Sequence, residues 1–403
     1  MTVIQKDPRT APQKIICISR EERKIIEQKI YGLMKSVGAD ILIAADPANF
    51  SYVSGVNLPY ANQFGTPKAA VIVKDTMNVI CPAEWAQLPA DQDRSCDVTV
   101  YSSKEGLFTN ALVKHIAALA ADHEKVAVDS ADLPVAFMMH LEKALPGAEF
   151  IDISSGIKNL RSVKTDAEIR MLENAIRFVD RAAVAALNHS EGQPCDTLSY
   201  YMWEFAERIR VHIGEFGGSG SGNITALQGS DMRFLSKSPV GTMKEGSPIR
   251  FEATGNHLGY WGYGTRTFFI GKPTPEFESD YRKNVELKKE AVKALRPGVR
   301  ASEVYHAVLE AADRSNTAVF KEAGVGHGIG LCEMEAPYLC PSDTTVLTEG
   351  MVIVLAIYTY GPEKELICSR DTYEITENGC RLMSWYKNYD NLYTIDGTHA
   401  RHG

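Results

Sequence analysis

Long apolar runs are what this chain lacks most clearly. Although 44% of its 403 residues are hydrophobic, no stretch approaches the ~20 consecutive apolar residues that a membrane-spanning helix requires. The first fifteen residues, with Asp7 and two prolines, have no apolar core of the kind a secretory signal carries, so a cytoplasmic location is expected. An excess of positive charge is also missing: 43 Lys and Arg stand against 51 Asp and Glu, a net charge of -8 with a pI near 5.8. Phosphate binding needs a basic surface, which argues against nucleic acid as a primary partner. An ordinary solvated surface has the same balance. Paired cysteines are absent too. The eight cysteines (Cys17, Cys81, Cys96, Cys195, Cys332, Cys340, Cys368 and Cys380) include no CxxC, which fits neither a zinc site nor a disulfide scaffold and favours free thiols in a reducing compartment. The glycine-rich run Gly217 to Gly222 lacks both the Lys-Ser/Thr ending of a P-loop and the G-x-G-x-x-G spacing. It reads instead as a loop.

What is present fits two soluble domains, since a chain of 403 residues is too long for one ordinary core. Ile26, Ile30, Leu33 and Val37 lie at helical spacing within 20–37. Strand-like runs follow at 40–45, 69–74, 77–81, 125–128 and 150–153, alternating with helical patterns at 108–121 and 134–144. Such alternation implies an α/β layer with a mixed sheet. Thr165-Asp-Ala-Glu168 is a capping-box pattern that opens a long helix with Ile169, Leu172, Ile176 and Val179 on one face. The domain boundary is therefore expected near residue 160. Beyond it come a helix over 197–212, a hairpin around 252–270, a charged helix over 276–295 stopped by Pro297-Gly298, a further helix from Ser302, and strands near 351–358 and 372–376.

The densest pattern is Glu252-Ala-Thr-Gly-Asn-His-Leu-Gly-Tyr-Trp-Gly-Tyr-Gly-Thr-Arg-Thr267, read with the turn Gly326-His327-Gly-Ile-Gly-Leu331. It resembles the frame Asp-x-Gly…Gly-Tyr-x-x-Asp-x-Thr-Arg-Thr followed by Gly-His-Gly-x-Gly that is shared by aminopeptidase P, prolidase and methionine aminopeptidase. The resemblance implies an α/β (α+β) protein: an N-terminal creatinase-type α/β domain at 1–160, then a C-terminal pseudo-symmetric pita-bread domain at 161–403. It also implies which positions hold metal in that family. Here they carry Glu252, Tyr263, His327, Ala356 and Arg370. An alanine cannot bind metal, an arginine offers no lone pair, and two adjacent dications need several carboxylates. No metal and no cofactor are therefore expected. The nearest branch by this logic is creatinase and ectoine hydrolase, the latter similar in having a glutamate at the place of Glu252.

Glu252, as nucleophile or general base, and His327, as proton donor to a leaving nitrogen, are the expected catalytic pair. The alternative for Glu252 is a structural ion pair with Arg266. Substrate contacts are expected from Tyr263, from Arg370 with Asp371 beside it, and from Tyr260 and Tyr358 as an apolar wall. Glu335 joins them because its run matches Gly-Leu-x-x-His-Glu-x-Pro, with Met334 for the histidine. Glu333 is expected to be solvated. Phe64-Gly65-Thr66 matches a run in which creatinase carries an arginine, so Phe64 is a candidate and creatine is not the substrate. The leading expectation is metal-independent hydrolysis of a C–N bond in a small polar nitrogen compound: a cyclic amidine, guanidino compound or amide. A metal-free lyase or isomerase, a catalytically dead peptide-binding protein, and a metallo-aminopeptidase or Xaa-Pro dipeptidase are the alternatives. The partner is a small-molecule substrate, with no nucleic acid and no membrane, and the resemblance implies a homodimer.

Overall fold

Ser19 and Glu22 open the first ordered helix by exchanging hydrogen bonds, each accepting from the other's backbone N–H, and Gly38 in the left-handed region closes it. The computed structural model describes residues 17–57, 68–87, 96–102, 108–120, 124–190, 202–215, 224–238, 241–384 and 390–395. The expectations placed on Phe64, on Cys195 and on the Gly217 to Gly222 loop fall outside these residues. Among them, no helix is long and apolar enough to cross a membrane.

The N-terminal layer contains α1 (Arg20–Val37), β1 (Ile41–Ala44), α2 (Pro47–Ser54), β2 (Ala69–Val73), β3 (Thr76–Pro82), β4 (Asp97–Tyr101), α3 (Phe108–Ala120), β5 (Lys125–Val128), α4 (Val135–Ala144), β6 (Glu149–Asp152) and α5 (Ser154–Ser162). Its six strands run in the order β4-β3-β2-β1-β5-β6. The β1–β2 and β2–β3 pairs are antiparallel and the other three parallel. Burial is two-sided. Ile41, Ile43 and Val71 meet Leu112, Ile116 and Leu141 of α3 and α4, while Leu42 and Ile72 meet Ile26 and Ile30 of α1 on the other face. The helices α2 and α5 and the strand β4 have no counterpart in the sequence-based expectation. α2 is only eight residues long and buried on every side, so it shows no amphipathic period despite its Asp46 cap and leading Pro47.

The C-terminal part is built from two helix pairs, each followed by strands. The Thr165–Glu168 box forms as expected and opens α6 (Asp166–Ser190), which is followed by α7 (Met202–Glu215), β7 (Ile224–Gln228), β8 (Ser247–His257) and β9 (Tyr260–Ile270). The second half contains α8 (Pro275–Ala294), α9 (Ala301–Arg314), β10 (Gly326–Gly328), β11 (Glu335–Tyr338), β12 (Val352–Ala356), β13 (Thr359–Tyr360), β14 (Leu366–Ile367), β15 (Arg370–Thr376) and β16 (Gly379–Leu382), and β17 (Tyr393–Ile395) ends the described chain. The large sheet runs β11-β10-β12-β15-β9-β8-β7, with β16 on β15 and β17 parallel to β9. This is the expected pita-bread arrangement.

Alternation along these strands decides what each face does. Ile249, Phe251 and Ala253 of β8 pack under α6 and α7. Ile353, Leu355, Tyr373 and Ile375 of β12 and β15 pack under α8 and α9. The helix-covered face tolerates no excess volume: a Cβ at Gly262 would lie 2.3 Å from the Ala175 carbonyl carbon of α6. The intervening residues point to the opposite face, where the chemistry gathers.

Candidate functional site

Directly paired residues on antiparallel strands share a face, and two rows cross the large sheet. One contains Thr225, Glu252, Thr265, Arg370 and Ala356. The next contains Thr254 paired with Tyr263, and Thr372 paired through Val354 to His327. These rows bring Glu252, Tyr263, His327 and Arg370 together on the open side of the fold, all of them buried.

Glu252 sits between two arginines. Arg250 Nε lies 3.1 Å from its Oε1 and Arg370 Nη1 lies 3.8 Å from its Oε2. The Tyr358 hydroxyl donates to Glu252 Oε1 at 3.1 Å and accepts from Arg370 Nη2. The guanidinium carbon of Arg370 stands 4.2 Å from the Tyr263 ring centroid and 5.4 Å from that of Tyr358, both within cation–π range. Ala356, directly opposite Arg370, contributes only a methyl group and leaves room for the larger side chain. Tyr358 continues into an apolar wall with Phe234, 5.4 Å away edge-on, so it is both part of the wall and a polar member of the site. Burial raises the phenol pKa of both Tyr263 and Tyr358, which keeps them protonated as donors.

His327 occupies the Gly-His-Gly turn for a steric reason. A Cβ at Gly326 would fall 2.3 Å from Val354 O, and one at Gly328 would fall 2.4 Å from Ala336 O, so only glycine allows that approach. The imidazole Nδ1 bonds the Gly328 carbonyl at 2.8 Å, and a carbonyl can only accept, so Nδ1 carries the hydrogen. Nε2 is buried without a hydrogen-bond partner and presents a lone pair. Burial, helped by the charge of Arg370, pulls the imidazole pKa down to about 4. The expected role of His327 as proton donor is thereby corrected: at neutral pH it is a proton acceptor.

Other expected residues lie elsewhere. Tyr260 donates to Glu168 at 3.2 Å in the core shared with the N-terminal domain; the end of the hairpin enters that interface rather than the site. Glu335 is paired with Arg161 and Lys164, which ties it to the domain junction. Asp371 points to the helix side, bound by Lys288 and by Arg266 at 2.9 Å. Arg266 is thus the partner of Asp371, with Asp180 at 3.7 Å, and not of Glu252. Glu333 is half-buried, accepts from Thr254 at 3.4 Å and has its pKa raised by burial, so it borders the site rather than being solvated. Arg250, Thr265 and Thr372 were missed. The two-residue step from Glu252 to Arg250 and from Arg370 to Thr372 was a usable signal for both, while the pairing of Thr265 with Glu252 needed the strand register.

Residues 28–163 match the model of the Creatinase/Prolidase N-terminal domain, and residues 170–377 match that of Metallopeptidase family M24. An Xaa-Pro dipeptidase of Pyrococcus horikoshii is 25% identical over 365 residues, which is 89% of this chain and 96% of the relative. An Xaa-Pro dipeptidase of Pyrococcus furiosus is 30% identical over 59% of this chain and 67% of its own. In fold, the X-Pro aminopeptidase of Thermotoga maritima superposes with a TM-score of 0.78 at 18% identity, covering 91% of this chain and 99% of that one. These matches correct the expectation of a metal-independent hydrolase of non-peptide C–N bonds: the family model is one of metallopeptidases, and the similar proteins are named for dipeptides.

The residues of this chain do not fit the ions that the family name implies. Of the five positions to which the sequence resemblance assigns metal ligands, only Glu252 and His327 carry a carboxylate or imidazole, and the Arg370 guanidinium lies against Glu252. Among the described residues no group of three His, Cys, Asp or Glu is placed to hold an ion, whereas a pair of dications needs several carboxylates.

Proposed function

This chain belongs to metallopeptidase family M24, and from that premise we propose that it acts on short peptides of the Xaa-Pro dipeptide class. The observation that supports this reading is the placement of Glu252 and His327 on one open sheet face, within the hairpin and Gly-His-Gly turn of the span that matches the family model. Peptide-bond hydrolysis needs an acceptor for a proton of water and a donor near the developing charge. His327 Nε2 and the Glu252 carboxylate supply acceptors, and the Tyr263 hydroxyl, which burial keeps protonated, supplies a donor. Incubation of the purified full chain with Gly-Pro and Ala-Pro, with and without manganese, is expected to release free proline. No release under either condition would overturn the hydrolytic reading.

Ala356 and Arg370 favour a second reading, a protein that binds such peptides without cleaving them. It predicts dipeptide binding by calorimetry with no proline released. A homodimer belongs to the same proposal, and light scattering on a sizing column tests it.

A further inference from the structure

Among the described residues, six of the eleven buried side-chain polar atoms without a hydrogen-bond partner lie on the open face of the large sheet: Arg250 Nε, Thr265 Oγ1, His327 Nε2, Arg370 Nε and Nη1, and Thr372 Oγ1. Buried polar atoms are almost always satisfied, so such a cluster marks a place where something else binds. Its members differ in what they have left to give. Arg250 is nearly used up, because its terminal nitrogens donate to the carbonyls of Leu366 and Arg233, each at 2.6 Å, and its Nε faces Glu252. Arg370 donates through Nη2, to the Tyr358 hydroxyl and to that of Tyr263. Its Nε is unpartnered and its Nη1 has only the 3.8 Å approach to Glu252. Arg250 and Arg370 both face Glu252, and Glu333 is a second carboxylate that acts on Arg370, so what the site has left to give is the Nε and Nη1 donors of Arg370.

Resting on the short-peptide reading above, we propose that the Arg370 guanidinium, with the hydroxyls of Thr265 and Thr372, receives the free carboxylate of the ligand. The substrate class is then peptides with an uncapped C-terminus. A guanidinium presents two parallel N–H donors that match a carboxylate, and the Tyr263 ring beside it and the Tyr358 hydroxyl that accepts from Nη2 restrict its orientation. Thr265 pairs directly with Arg370, and Thr372 is the next residue on the same face of β15, so both hydroxyls flank the fork. The same ligand must offer an N–H or O–H to the lone pair of His327 Nε2, as an amino acid or peptide does.

Calorimetric titration of the full chain with glycyl-proline and with its C-terminal amide tests this. The wild type is expected to bind the acid at least tenfold more tightly than the amide, which corresponds to one charge-assisted hydrogen bond or more. Because Arg370→Gln alone changes the charge of the site, the decisive variant is the neutral pair Glu252→Gln/Arg370→Gln, with circular dichroism as the check on folding. The acid-to-amide ratio should fall to about one there, and Thr372→Val in otherwise native protein should weaken the acid but not the amide. An amide that binds as well as the acid, or a ratio unchanged in the neutral pair, overturns the carboxylate site. The ratio is read without turnover, so absent hydrolysis leaves it intact. If neither dipeptide binds, acetate is the probe. An Arg370-dependent rise in melting temperature with acetate upholds the anion site and sinks the peptide reading, and no such rise sinks the site.

Discussion

Arg370 and Asp371 are neighbours on one strand, both almost fully buried and both charged, and they do opposite work. Asp371 faces α8 and is closed off: Lys288, Arg266 and the surrounding packing take its oxygens, and although burial would raise its pKa, those two cations more than offset that and hold it low. Arg370 faces the open side, with hydrogen bonds to the Tyr358 and Tyr263 hydroxyls, one loose ion pair and two unpartnered nitrogens. Burial of a charge is therefore a poor guide to function in this molecule. What separates a structural ion pair from a ligand site is whether the group's bonding capacity is exhausted, and strand alternation is what lets adjacent residues differ so completely.

The largest effect expected from this contrast is on the closed side. Asp371→Ala leaves Lys288 and Arg266 buried without their partner, which should cost about 3–5 kcal/mol in urea unfolding, while the acid-to-amide binding ratio of the folded fraction stays at its wild-type value. A changed ratio would mean that the two faces are not separate.

Next in size is a pH dependence. The pKa of His327 is about 4 when folded, against 6.5 for the free side chain. Between those values the unfolded state binds the extra proton, so this contribution is complete above pH 6.5 and is lost as pH falls towards 4, by up to about 3 kcal/mol at roughly 1.4 kcal/mol per unit. Asp129 has the opposite sign. Burial pushes its carboxyl up to about 7, so its contribution is present at low pH and is lost as pH rises through 7. The difference between wild type and His327→Gln isolates the histidine, and a difference that is flat between pH 4 and 6.5 would contradict its buried neutral state.

The neutral pair Glu252→Gln/Arg370→Gln should change stability by less than about 2 kcal/mol, since it removes one buried charge of each sign and Arg250 keeps its bonds to the Leu366 and Arg233 carbonyls. A loss as large as that of Asp371→Ala would make Arg370 a structural cation and erase the contrast. The smallest effect belongs to Thr372→Val, which removes a buried hydroxyl that has no partner and should alter stability by within about 1 kcal/mol.

The frame of the site was legible in the sequence because it is carried by short-range signals: glycines where backbones nearly touch, a capping box, and strand alternation. Those signals put Glu252, Tyr263, His327 and Arg370 on one list, and the fold puts them on one face. Bonds spanning long separations were not legible. The contact of Tyr358 with Glu252 crosses 106 residues, and the direction of the His327 hydrogen bond depends on a carbonyl set by backbone geometry. Tyr260 and Glu335 were misplaced for the same reason, since both lie in motif-like runs yet serve the junction between domains. The substrate class was misread because the altered ligand positions were weighed above the retained frame, and it is the frame that this chain shares with the dipeptidases.

A crystal structure grown with glycyl-proline and manganese tests the central claim most directly. It should show the dipeptide carboxylate forked on the Arg370 guanidinium between the Tyr263 and Tyr358 rings. Metal ions held at Glu252 and His327, with Arg370 turned away, would contradict it.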